Sequence, residues 1–325
     1  MNAPWGNAEL YPAALPFEGM EAVLDALVGG EVARGLTLTA PRVVALDASA
    51  SVPLVVGFVA PPRELAPRRV LERAVLVAVD KDGGAARAAA FAVEPPAGHA
   101  GEWDDGDDGE PSPAVPARGA VAVRLEAPAG LELGRARGRW VLTVLSGDHV
   151  SNPCDLDVVP KGSALSDGDA PTSSPSPPAP VWPPPNPLGG APHYHRTDDS
   201  PPIPDLPGIV LVGPEIVSML RGTPTSVVHG SFRVAIDPRA PRDASLRTHR
   251  LNLVVTGSDD ARPAVVALQL PSFGAPSAVG EPTVTGHFML DLVSLFGLSQ
   301  GGETLHVRAF TGRLVSEALV LHVVT

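Results

Sequence analysis

The sequence holds a single cysteine, Cys154, so no disulfide can close within one chain. A cystine framework is excluded as a source of stability, and a reducing, cytoplasmic setting is the expectation. Aromatic residues make up only 4 % of the chain, which argues against a stacking platform for sugars or bases. Positive charge is short, with 24 Lys and Arg against 36 Asp and Glu and a net charge of −12. Such a chain repels phosphate backbones and anionic bilayer surfaces, so neither nucleic acid nor membrane is expected as a partner. No apolar run approaches the roughly 20 residues that cross a bilayer as a helix. The first residues lack a basic stretch followed by an apolar one, the pattern of a secretory signal. No G-x-S-x-G, H-E-x-x-H, P-loop or G-x-G-x-x-G motif occurs, and no carboxylate sits in an apolar context that would raise its pKa. The expectation is a protein without catalytic activity and without a cofactor.

What is present is apolar and β-forming. The apolar fraction is 44 %, supplied by Val, Ala and Leu, and the 38 prolines and 33 glycines fall largely between the apolar runs. Val-rich runs bounded by Gly, Pro, Asp and Ser read as strands of an antiparallel sandwich. At 325 residues the chain has room for two domains of ordinary size.

Two stretches match without a gap. Residues 138–159 read GRWVLTVLSGDHVSNPCDLDVV and residues 303–324 read ETLHVRAFTGRLVSEALVLHVV, which sets Gly147 on Gly312, Val150 on Val315, Ser151 on Ser316 and Leu156 on Leu321. Upstream, GAVAVRL from Gly119 matches GHFMLDL from Gly286, and RAVLVAVD from Arg73 matches HRLNLVVT from His249. The first strand of each copy is read as Ser51–Val59 and Ser231–Ile236. Self-similarity at a fixed spacing points to a duplicated module. The predicted organisation is an N-terminal segment over 1–30, a first sandwich over 31–160, a linker over 161–207 and a second sandwich over 208–325. The predicted fold class is all-β: two duplicated antiparallel β-sandwich domains of immunoglobulin-like type, joined by a Pro-rich linker and preceded by a short helix.

Three regions lie outside the repeat. Met20, Val23, Leu24 and Leu27 form one apolar stripe, which predicts a short amphipathic helix over Phe17–Val28 that Gly29 and Gly30 stop. Trp5, Tyr11 and Phe17 cluster there, and aromatic residues are frequent anchors of protein interfaces. The segment 160–207 contains SSPSPPAPVWPPPNP and PPIPDLP. Proline at that density favours extended polyproline II and reads as a semi-stiff spacer, or as a segment lying extended across a domain surface; Trp182 within VWPPPNP also suits an aromatic groove on a partner. Glu102–Glu110 reads EWDDGDDGE, an acidic loop whose carboxylates could attract calcium but whose spacing departs from the EF-hand pattern.

The remaining chemistry-bearing residues read more simply as structural. His193 and His195 fall in the Pro-rich segment, without a scaffold to hold a metal. His249, His287, His306 and His322 fall on predicted strands, where surface or edge positions are the plain reading, and His287 and His306 could approach one another. Cys154 aligns with Leu319, as suits a buried, inert thiol.

The phrase GHFMLDLVSLFGLSQGGETLHVRAFTG, residues 286–312, resembles the C-terminal β-domain that follows the copper domain in tyrosinases and polyphenol oxidases. That resemblance implies a covering or accessory module for a copper oxidase; the family's copper-binding histidine motifs are not present. From the residues alone, the expected work is protein–protein association as a scaffold or assembly component, with itself or another protein. The last strand, Leu319–Val324, carries few charges, and Val320 is its expected outward contact position.

Overall fold

A computed structural model describes residues 35–40, 42–46, 51–60, 74–81, 84–91, 117–126, 138–160, 196–218, 226–235, 250–257, 263–269, 283–296 and 302–324. The predicted N-terminal helix, Trp5, Tyr11, Phe17, the acidic loop, the His193–His195 pair and Trp182 lie outside the described residues. The fold is all-β, and contact clustering divides the chain into two units.

The first unit carries β1 (Gly35–Thr39), β2 (Val43–Leu46), β3 (Ser51–Ala60), β4 (Ala74–Asp80), β5 (Ala86–Phe91), β6 (Ala117–Glu126), β7 (Gly138–Ser146), β8 (His149–Val150) and β9 (Cys154–Pro160). Its strands form a three-stranded sheet, β1-β3-β6, and a six-stranded sheet, β2-β9-β7-β4-β5, with β8 on β7. The second unit carries β10 (Gly208–Val212), β11 (Ile216–Ser218), β12 (Val227–Ala235), β13 (Arg250–Gly257), β14 (Ala264–Gln269), β15 (Thr283–Asp291), the helix α1 (Leu292–Phe296), β16 (Glu303–Thr311), β17 (Leu314–Val315) and β18 (Leu319–Val324). Its sheets are β10-β12-β15 and β11-β18-β16-β13-β14, with β17 on β16. Strand for strand, the order is the same in both units.

The likeness extends to register and hydrogen bonding. Trp140 faces Leu156 across β7 and β9, and Leu305 faces Leu321 across β16 and β18. The two-residue loops start at Gly147 and Gly312, with φ of 52° and 56°. That left-handed conformation closes a hairpin with the twist its strands require, and glycine adopts it without steric cost. Beyond each loop a buried serine ties the ladder together. Ser151 Oγ accepts from Val144 N at 2.9 Å and donates to Asn152 O at 3.0 Å. Ser316 Oγ accepts from Ala309 N at 2.9 Å and donates to Glu317 O at 2.8 Å.

Sequence expectation and structure differ in three respects. The strands read as first in each copy are third in the structure, since β1, β2, β10 and β11 precede them; these are short and leave little periodic signal. The sheets are not wholly antiparallel, because β2 lies parallel to β9 and β11 parallel to β18. The central strands also do not alternate between core and solvent. In β4 every residue from Ala74 to Val79 is buried, as is every residue of β7 from Trp140 to Ser146. Strands covered on both faces carry near-continuous apolar sequence, which explains AVLVAV and WVLTVL.

The core of the second unit lies between its two sheets. Ile209, Val228, Phe232, Val284, Phe288 and Leu290 come from the smaller sheet; Leu251, Leu253, Leu305, Val307, Leu321 and Val323 come from the larger. Gly230 pairs with Phe288, and Phe232 with Gly286, across β12 and β15. A Cβ at Gly230 would fall within the Phe288 ring, and one at Gly286 would lie 2.8 Å from Phe232. Each glycine clears space for the aromatic ring opposite, and the two rings sit 6.5 Å apart. Asp291 caps α1, its Oδ1 accepting from Val293 N at 3.2 Å and from the Ser226 hydroxyl.

Residues 79–88, which hold the end of β4 and the start of β5, group with the second unit and not with the rest of those strands. There the buried Asn252 amide accepts from Ala86 N at 2.9 Å and donates to Gly84 O at 2.8 Å. In the first unit Asn152 brackets Leu38 the same way, accepting from its N–H at 2.8 Å and donating to its carbonyl at 2.9 Å. Cys154, half-buried rather than fully buried, donates from Sγ to the same Leu38 carbonyl at 2.8 Å.

Candidate interaction surfaces

Strand β18 fixes where Val320 points. Leu321 and Val323 enter the core, so Val320, His322 and Val324 turn to the opposite face. On β11, Val217 enters the core and Ile216 turns outward, paired with His322, while Ser218 pairs with Val324. Ile216 is 58 % exposed and Val324 42 %. Val320 is half-buried and pairs with His306 on β16. His322 Nδ1 and Thr304 Oγ1 lie 3.0 Å apart on the same face. On this face Val320, His322 and Val324 follow one another along β18, with Ile216 beside His322 and Ser218 beside Val324, so the aliphatic side chains surround a central imidazole.

Strand β18 is not itself a sheet edge. It runs between β16 and β11, and His322 N donates to Glu215 O at 2.7 Å. The edge belongs to β11, only three residues long. Short edge strands are one way that natural sheets limit uncontrolled pairing. In the first unit β2 occupies the corresponding edge, and Val43, the counterpart of Ile216, is exposed too.

A second face carries part of the Pro-rich segment. Of the two readings of residues 161–207, spacer or segment extended across a domain surface, Arg196–Pro204 takes the second and lies across the outer face of β12. Alternate residues of β12 turn away from the core: His229, Ser231 and Arg233. Each holds this strap. His229 Nδ1 lies 3.1 Å from Thr197 Oγ1, Ser231 Oγ donates to Pro202 O at 2.7 Å, and Arg233 Nε donates to Pro204 O at 2.7 Å. Thr197 and Ser200 close the strap upon itself, with Thr197 N donating to Ser200 Oγ at 2.9 Å. Pro201 and Ser231 are buried. Proline removes an amide donor but keeps its carbonyl, so a proline-rich segment suits a sheet face that offers side-chain donors.

His287 stands opposite Ser231 on β15 and shares this outer face. Its Nδ1 is buried with no hydrogen-bond partner. Burial lowers its pKa from the ordinary histidine value, and the Arg196 charge lowers it further. His306 belongs to the other sheet of the sandwich. Both residues turn away from the shared core, so His287 and His306 do not approach one another, and the plain reading of each as an outward strand residue holds.

Among the described residues no cluster of His, Cys, Asp and Glu is arranged to hold a metal ion, and no helix is long and apolar enough to cross a membrane. No family model matches the chain, and no curated protein matches it. Solved structures that match include the FN1–FN3 domains of chicken CNTN1, at 7 % identity and a TM-score of 0.18. The match covers 87 % of this chain and 66 % of that one, just under two thirds of its length.

Proposed function

We propose that this chain is a non-enzymatic association component, built from two copies of one immunoglobulin-like module, that works in a cytoplasmic setting as a scaffold or assembly protein. The reading of two copies rests on the shared strand order and on the paired Ser151 and Ser316 ties. The observation that carries association is the outward face of β11 and β18, where the aliphatic side chains of Ile216, Val320 and Val324 surround His322 at the sheet edge. Large aliphatic side chains at a sheet edge are costly to leave in water and are well placed to anchor a partner, while the rigid sheet behind them limits the entropy lost on binding. A second copy of the chain is the partner this surface favours, because Val43 repeats the exposed apolar position of Ile216 in the first unit.

The test is static light scattering of the full chain across a concentration series, with Val320→Lys beside it. Association through this face predicts a mass that rises with concentration in the native chain and stays at the monomer value in the variant. A native chain that remains monomeric throughout, or a variant that assembles equally with its fold intact, contradicts the proposal.

A further inference from the structure

A titratable group shares the sheet face on which the strap lies, and among the described residues a few side-chain hydrogen bonds retain that segment. Three side chains of β12 hold Arg196–Pro204, and none of them forms a covalent or ladder bond with it. Beside them, the Nδ1 of His287 is enclosed and unbonded. Neutral imidazole tolerates that position. Imidazolium would need a partner for each N–H and would add a cation to a face that already holds Arg196 and Arg233.

We propose that protonation of His287 releases the strap Arg196–Pro204 from the outer face of β10, β12 and β15, so that this face is covered at neutral pH and open in mild acid.

The charged surroundings support this direction. On the strap, Arg196, Asp198, Asp199 and Asp205 are all exposed, where water screens them, so the enclosure of Nδ1 outweighs the Arg196 charge as the obstacle to protonation. On β12 the outward titratable groups are His229, joined to Thr197, and Arg233, joined to Pro204. On β15 the same face carries Asp291, occupied with Ser226 and α1. On β10 the outward positions are Gly208, Val210 and Val212, none of them titratable. No carboxylate on the sheet is therefore placed to compensate a charged His287. The lowered pKa agrees in sign. The docked state binds its proton less readily than the released state, so docking is strongest above the ordinary histidine value of about 6.5. It weakens as pH falls through that value towards the lower pKa of the docked state, where the penalty becomes complete. What the release uncovers is the Ser231 hydroxyl, the slot of Pro201 and the outer surface of the smaller sheet.

Amide hydrogen exchange of the full chain tests the switch, read at Thr197 and Ser200 and compared at each pH with His287→Gln. The strap sequence is the same in both proteins, so intrinsic exchange chemistry cancels in the ratio. The expected result is equal pH dependence above pH 7 and a several-fold loss of strap protection at pH 5 in the native chain relative to the variant. Core amides at Leu253 and Val307 should stay protected throughout. His229→Gln should keep the acid response of the native chain. A native-to-variant ratio that does not change with pH overturns the proposal. So does loss of core protection at the same pH as the strap, or an acid response removed by His229→Gln instead.

Discussion

Ser151 and Ser316 each satisfy a backbone N–H seven residues earlier, in a place where the hairpin ladder is interrupted and water does not reach. Removing such a hydroxyl leaves a buried donor unpaired, which costs about 1–3 kcal/mol. Ser316→Ala should therefore lower the urea midpoint of the second unit by an amount in that range, and Ser151→Ala should do the same for the first. Chemical denaturation followed by circular dichroism reads both. Gly230→Val is expected to be worse, because its side chain would occupy the volume of the Phe288 ring; overpacking of about 1–3 kcal/mol adds to the loss of the ring's own packing. The two serines were legible in the sequence, where they align with each other beside the matched glycines. Gly230 was not. Its need arises from Phe288, 58 positions away and brought opposite only by the register of β12 and β15, and register is not visible in a single strand's pattern.

At the scale of elements, the hairpins closed by Gly147 and Gly312 were readable because loop length and glycine fix their geometry locally. The short edge strands β2 and β11 were not, since a strand of three or four residues has too few positions to show a period. Whether the Pro-rich segment is a spacer or a docked strap was not legible, for a physical reason. Proline density signals missing donors, and it says nothing about whether the remaining carbonyls find donors elsewhere. Here Ser231 and Arg233 supply them. Ser231→Ala with Arg233→Gln should expose the strap at every pH, seen as faster exchange at Thr197 and Ser200 and as protease cleavage within 196–204, while the buried core of β13 and β16 keeps its protection. Unchanged exchange in that double variant would mean that the strap is held by something other than these two donors.

At the scale of the whole molecule, the first and second units repeat one strand order. In sequence the two stretches match without a gap over residues 138–159 and 303–324 and less closely upstream, where the spacing between matched runs differs. Function was less legible than architecture. The outward face of β11 and β18 depends on the parallel pairing of Ile216–Ser218 with His322–Val324, two segments more than 100 residues apart. The sequence pointed to Val320 but not to the Ile216 that completes its surface. Association between copies of the chain through this face is tested by hydrogen exchange of the native chain at low and high concentration. Ile216–Ser218 and His322–Val324 should gain protection as concentration rises, and Ile216→Lys should abolish the gain while leaving the core of β13 and β16 unchanged. Protection that is independent of concentration at these two segments, or a gain confined to other parts of the chain, would contradict it.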